Sequence, residues 1–176
     1  MMQRYNKIAI SLHWLIALLI IWNFTLGLYM ADLPLSPLKL QRYSWHKWTG
    51  VTLFLLVLVR LLWRLAHKPP PPVPMPKLQL LAAESVHYLL YIMLIVIPLS
   101  GWMMSSAKGF QTVWFGVLPL PDLIDKKKEL GDLLQEVHEY LNYGLLMLFI
   151  AHSGAALHHQ FIKKDGLIGR MNPFSK

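Results

Sequence analysis

Cysteine does not occur among the 176 residues of the chain. That excludes disulfides, cysteine-ligated iron–sulfur clusters, thiolate zinc sites and covalent c-type haem, so any metal or cofactor must be held by other ligands. Charge is scarce as well. Asp, Glu, Lys and Arg together make 15% of the chain, where a soluble domain carries about 25%. Acid is the scarcer sign, 9 residues against 17 Lys and Arg, which leaves a net charge of +8. The basic surplus forms no continuous patch but is dispersed between apolar runs, so nucleic acid is not the expected partner. Internal repeats and low-complexity domains are absent too, and residues 1–176 read as a single domain. What is abundant is apolar surface, 55% of residues, together with 8 histidines.

The apolar residues are gathered into four stretches, and a helix of about 20 residues crosses a hydrocarbon core of roughly 30 Å. The expected spans are about 8–30, 46–65, 87–104 and 137–161. The first is preceded by Arg4 and Lys7, as a signal peptide would be. Its interior holds His13, Asn23 and Thr25 and no small-x-small cleavage site follows, so it reads as a retained span. The run Pro69-Pro70-Pro71-Pro72-Val73-Pro74-Met75-Pro76 cannot be helical and reads as a stiff linker between spans two and three. The stretch from Lys108 to Gln135 is expected as the longest loop, lying over the outer face. The predicted fold is all-α, an integral membrane four-helix bundle in membrane lipid.

Loop charge sets the orientation. Arg4, Lys7, Arg60, Arg64, Lys68, Lys77, Lys163, Lys164, Arg170 and Lys176 fall on one side, with only Glu84 and Asp165 against them. Lys39, Arg42, Lys47, Lys108, Lys126, Lys127 and Lys128 fall on the other, diluted by the seven remaining acids. Both termini are therefore expected in the cytoplasm.

A histidine inside a membrane helix needs a partner. His138 and His152 on span four are 14 residues apart, so they face nearly the same way, roughly 21 Å apart along the axis. Span one runs outward and puts His13 level with His152. Span two runs inward and opens with His46, level with His138. Two cross-helix pairs result, the arrangement needed to hold two planar haems from both faces, one above the other. Gly27, Gly50, Ala155 and Ala156 lie where small residues would let helices approach, though ordinary helix packing favours small residues too. Arg60 lies 14 residues after His46 at the inner level. It is either a cation snorkelling to the interface or one paired with a haem propionate or a quinone headgroup. His87 opens span three near the inner surface, as a rival ligand for the inner haem or a hydrogen-bond partner for a quinone. His67 reads as solvated, and His158 with His159 as interfacial.

These residues carry a resemblance to the bacterial cytochrome b561 family, related to the b-type subunits of hydrogenases and formate dehydrogenases. The match lies in Ser11-Leu12-His13-Trp14 at the start of span one, Trp45-His46-Lys47 at the start of span two, His138 and His152 on span four, and Arg60-x-x-x-Arg64 before the prolines. It covers nearly the whole chain. The resemblance implies two non-covalent haem b groups with His13, His46, His138 and His152 as iron ligands, and electron exchange with membrane ubiquinone in the bacterial inner membrane. Some members oxidise superoxide at the outer face.

The expected function is that of an oxidoreductase moving electrons between an outer donor, superoxide among the candidates, and ubiquinone. No catalytic residue is singled out. Two alternatives stand beside it. One is an anchor subunit between a soluble dehydrogenase or hydrogenase and quinone. The other is a transporter whose histidines relay protons, which broken helices would favour; Pro98 is the interior candidate for a break.

Overall fold

The computed structural model describes residues 3–174. Its elements in chain order are α1 (Lys7–Ala31), α2 (Pro37–Ala66), α3 (Lys77–Ala107), strands β1 (Val113–Trp114) and β2 (Leu118–Pro119), and α4 (Lys128–His158), followed by a π turn (His159–Lys163) and a 3-10 turn (Leu167–Met171). The helix starts follow local chemistry. The Asn6 side chain accepts from the Ala9 amide at 2.8 Å, and Ser36 caps α2 with Pro37 in its first turn. α2 ends before the proline run, which is extended through Pro76, and α3 begins on the next residue. α3 continues through Pro98 without a break.

All four helices are long and apolar enough to cross a membrane, and the chain is an all-α, four-helix membrane bundle. Leu18, Leu62 and Met147 are 63%, 66% and 69% exposed, a surface that lipid rather than water suits. Three helices begin earlier than the apolar runs predict: α2 at Pro37, α3 at Lys77 and α4 at Lys128. At 30 residues, α2 alone is about 45 Å long, so its amino-terminal turns extend past the hydrocarbon. The expected loop from Lys108 to Gln135 accordingly ends at Lys127, and within it β1 and β2 form a small antiparallel hairpin.

Packing is closest within two helical hairpins, α1 with α2 and α3 with α4, and α2 with α3 joins them. Val57, fully buried, packs with Ile16 and Leu53, and Tyr91, Leu94 and Ile95 close over this cluster from α3. Among the described residues, α4 does not pack closely on α1 or α2. That leaves a seam between the hairpins, and the histidines lie along it.

Gln3 and Arg170, near the two ends of the described chain, meet at one end of the bundle. The Arg170 guanidinium, 6% exposed, donates to the Gln3 carbonyl at 3.0 Å and the Pro71 carbonyl at 2.8 Å. The Trp14 indole donates to the Met171 carbonyl at 2.8 Å. At the opposite end the hairpin is fastened over α2, where Trp48 donates to the Val113 carbonyl at 2.6 Å and Trp114 to the Thr52 hydroxyl at 3.3 Å.

Candidate functional site

Two histidine pairs face each other across the seam. The rings of His46 on α2 and His138 on α4 have centroids 6.3 Å apart. Those of His13 on α1 and His152 on α4 are 6.2 Å apart. An imidazole nitrogen bonds a metal at about 2.0–2.1 Å, and its ring centre lies about 1.1 Å further back, so two rings on opposite faces of one metal ion have centroids about 6.3 Å apart. Both pairs have that spacing. His87 on α3 also meets His152, with centroids 5.2 Å apart. That is too close for two imidazoles on opposite sides of one iron, so the spacing fits His13 better than its rival.

Second contacts orient the outer pair. His46 Nδ1 lies 3.2 Å from the Asn23 carbonyl. His138 Nδ1 lies 3.1 Å from the Ile97 carbonyl and 2.9 Å from Ser100 Oγ. A carbonyl only accepts, so each Nδ1 carries the proton, and each Nε2 keeps its lone pair for a metal. Ser100 in turn donates to the Ile97 carbonyl at 2.8 Å, which fixes it as a second acceptor for His138. Beside His46, the buried Asn23 Oδ1 has no hydrogen-bond partner among the described residues.

Glycine makes room for both outer rings. A Cβ on Gly27 would stand 3.2 Å from His46 Cε1, and one on Gly101 would stand 3.0 Å from His138 Cε1. Carbon atoms at rest keep about 3.5–4.0 Å. Gly27 was expected in this region from its spacing to His13. Ser100 and Gly101 were not, because a Ser-Gly pair after Pro98 reads as helix-packing residues until the partner helix is in place. Gly50 approaches Asn23 rather than a histidine.

The two polar candidates Arg60 and His87 have different partners. Arg60 donates from Nε to the Tyr91 hydroxyl at 3.0 Å and from Nη1 to the Ala9 carbonyl at 3.1 Å, and it lines a cavity of about 480 Å³ that His87 does not line. His87 instead sits against His152, with ring centroids 5.2 Å apart. Arg60 has no carboxylate partner among the described residues. His67 stacks on Trp63 at 3.9 Å and lines the Arg60 cavity. His159, read from sequence as interfacial, is buried and meets Asp165 at 2.5 Å and Gln79 at 3.3 Å.

The basic residues at the β-hairpin end of the bundle are also sorted. Lys39 donates to the Leu33 carbonyl at 2.6 Å, Lys47 to the Phe110 carbonyl at 2.9 Å, and Arg42 lies 4.3 Å over the Trp45 ring. Lys108 pairs with Asp132 at 3.3 Å. Lys126, Lys127 and Lys128 are exposed at the start of α4.

A family model described as Prokaryotic cytochrome b561 matches residues 4–173 of the chain. The chain is 32% identical over 171 residues to "Cytochrome b561 homolog 2" of Escherichia coli, covering 96% of this chain and 91% of that one. It is 31% identical over 180 residues to "Cytochrome b561 homolog 1" of the same organism, covering 99% and 100%. It is also 28% identical over 177 residues to the "Probable superoxide oxidase CybB" of Yersinia pestis, covering 98% of each.

Proposed function

The chain belongs to the prokaryotic cytochrome b561 family, a family of membrane b-type cytochromes, and from that premise we propose that it holds two haem b groups and transfers electrons between a donor at its outer face and membrane ubiquinone. His46 and His138 are the proposed iron ligands at one level, His13 and His152 at the other. The observation that carries this is the pair of ring spacings, 6.3 and 6.2 Å, each suited to two imidazoles on one iron. Two imidazoles leave no open coordination position, so the bound group supplies outer-sphere electron transfer rather than oxygen chemistry.

The chain's own residues do the rest. Asn23, Ile97 and Ser100 hold the outer imidazoles in one tautomer and orientation. Gly27 and Gly101 admit the rings. At the inner level Arg60 supplies a cation for an acidic group, a haem propionate or the polarised carbonyl of a quinone. His87, beside His152, is the proposed group to hydrogen-bond a quinone and to pass it a proton.

For the donor we propose superoxide, a reading supported by the name of the Yersinia pestis relative and by the exposed Lys126, Lys127 and Lys128, which attract a small anion. The protein is then an inner-membrane oxidoreductase with both termini in the cytoplasm. The purified haem-loaded protein is mixed with superoxide in stopped flow, with and without ubiquinone. Reduction of the haem bands, their reoxidation by ubiquinone, and a rate that falls with added salt are expected. Haems that superoxide leaves oxidised would end this reading and favour the anchor subunit, whose soluble partner would then copurify.

A further inference from the structure

The cavity beside Arg60 carries further cations, Arg64 and Lys68, to which the proposed electron transfer gives no role. Its walls carry Arg4, Arg60, Arg64, His67 and Lys68 and contain no Asp or Glu. The three arginines and the lysine bring positive charge to a space of about 480 Å³, within the range of ligand sites, and Arg4 also donates to the Asn172 carbonyl at 2.6 Å. Arg64 and Lys68 have no hydrogen-bond or carboxylate partner among the described residues, and both are exposed toward the cavity end. The amino end of α1 and the carboxyl end of α2 meet here, and their opposed dipoles leave the cations to set the sign.

The wall is built rather than loose. The Trp63 indole donates to Asn6 Oδ1 at 3.1 Å and its ring is stacked on His67. Pro69 and Pro70 form the floor and are held in place through the Arg170 bond to the Pro71 carbonyl. A Trp at the end of a membrane helix marks the headgroup level. Leu62 and Leu65 on the same turns of α2 are 66% and 83% exposed, so apolar surface for acyl chains adjoins the cationic cavity.

We propose that this cavity is a phosphate-anion site, filled in the membrane by the headgroup of an anionic phospholipid. The cations bind the phosphodiester, Arg by paired N–H donors and Lys as a point charge, while the chains run down the exposed leucines of α2. The inference does not use the haem assignment, and its failure leaves that assignment standing.

The test uses the haem-loaded protein exchanged into nanodiscs of equal parts phosphatidylglycerol and phosphatidylcholine, then released for native mass spectrometry. The wild type is expected to retain phosphatidylglycerol over phosphatidylcholine. The double variant R64Q/K68Q should lose that preference roughly thirtyfold, from about fivefold for each surface cation, at unchanged haem content. The single variants R64Q and K68Q each give an intermediate loss and stand in should the double variant fold poorly. Equal retention of the two lipids, or a preference that survives R64Q/K68Q, overturns the proposal. Displacement of the bound lipid by millimolar inorganic phosphate would assign the cavity to a free anion and overturn the lipid assignment.

Discussion

Gly101 is where a single methyl group should decide how much haem the protein carries. The Cβ of an alanine there would stand 3.0 Å from His138 Cε1 and 3.3 Å from its Nδ1. Carbon contacts relax at about 3.5–4.0 Å, so the imidazole must move by roughly 0.5–1 Å. The ring cannot move freely. Its Nδ1 is tied to Ile97 and Ser100 on the same helix that carries Gly101, and metal–ligand distances hold within about 0.2 Å. The displacement therefore falls on the bond from Nε2 to the iron. Gly101→Ala should weaken retention of the outer haem, and Gly101→Val, with two further methyls, should abolish it. The inner pair, about 21 Å away along α4, is left alone. The assay is haem per chain by pyridine haemochrome, with a redox difference spectrum to show which component is lost: close to two in the wild type and close to one in Gly101→Val. Gly154→Ala is the control, since a Cβ there meets nothing within 4 Å, and it should keep both haems. A Gly101→Val protein with two haems and an unaltered spectrum would refute the argument, as would equal loss in the Gly154 control.

The remaining expectations are shorter. His46→Ala or His138→Ala should remove the outer haem and His13→Ala or His152→Ala the inner one, while His87→Ala keeps both; a haem count on the five variants checks the assignment, and it fails if His87→Ala lacks a haem that His13→Ala retains. Ser100→Ala removes a second acceptor from His138 Nδ1, lowering the basicity of the imidazole, so a redox titration should find both haems present and the outer potential raised. The hydrogen bond from His159, then those from the Leu167 amide and the charge of Lys163, holds the Asp165 carboxyl below its ordinary value. That contribution to tail docking is complete above the ordinary carboxylate pKa and is lost as pH falls through the lowered one; Asp165→Asn should loosen the tail at neutral pH, read as faster limited proteolysis after Lys163, and equal cleavage of the two proteins would count against it. Reporter fusions at the carboxyl terminus should report the cytoplasm, and a periplasmic signal would reverse the inner and outer labels.

The span count and the histidine pairing were legible in the sequence because both rest on helix geometry alone. An apolar run of about 20 residues crosses the membrane, and residues 14 apart share a face. The full helix lengths were not legible. Residues 37–45, 77–86 and 128–136 mix charged residues with Gln and Leu, and such a stretch reads equally as loop until it is seen continuing a membrane helix. The choice between His13 and His87 needed the distance from each ring to His152, which depends on how far α1 and α3 stand from α4. Arg60 read from sequence either as a cation snorkelling to the interface or as one paired with a propionate or a quinone headgroup. Its hydrogen bonds to the Tyr91 hydroxyl and the Ala9 carbonyl come from two other helices, and no spacing along α2 announces them.

The seam between the two helical hairpins links the stability of this bundle to its chemistry. Small residues and shape usually hold membrane helices together, because lipid tails give apolar side chains no reason to leave them. Here α4 meets α3 closely but stands off from α1 and α2, and what faces it across the gap at two depths is imidazole. An imidazole nitrogen without a partner in such surroundings carries a cost of several kcal/mol in the lipid reference. Asn23, Ile97 and Ser100 satisfy only the Nδ1 atoms of the outer pair. On the proposed ligand set, two irons would satisfy the four Nε2 lone pairs, and each would tie one hairpin to the other. The bonds proposed to set the redox chemistry would then also supply the closure that helix packing leaves incomplete.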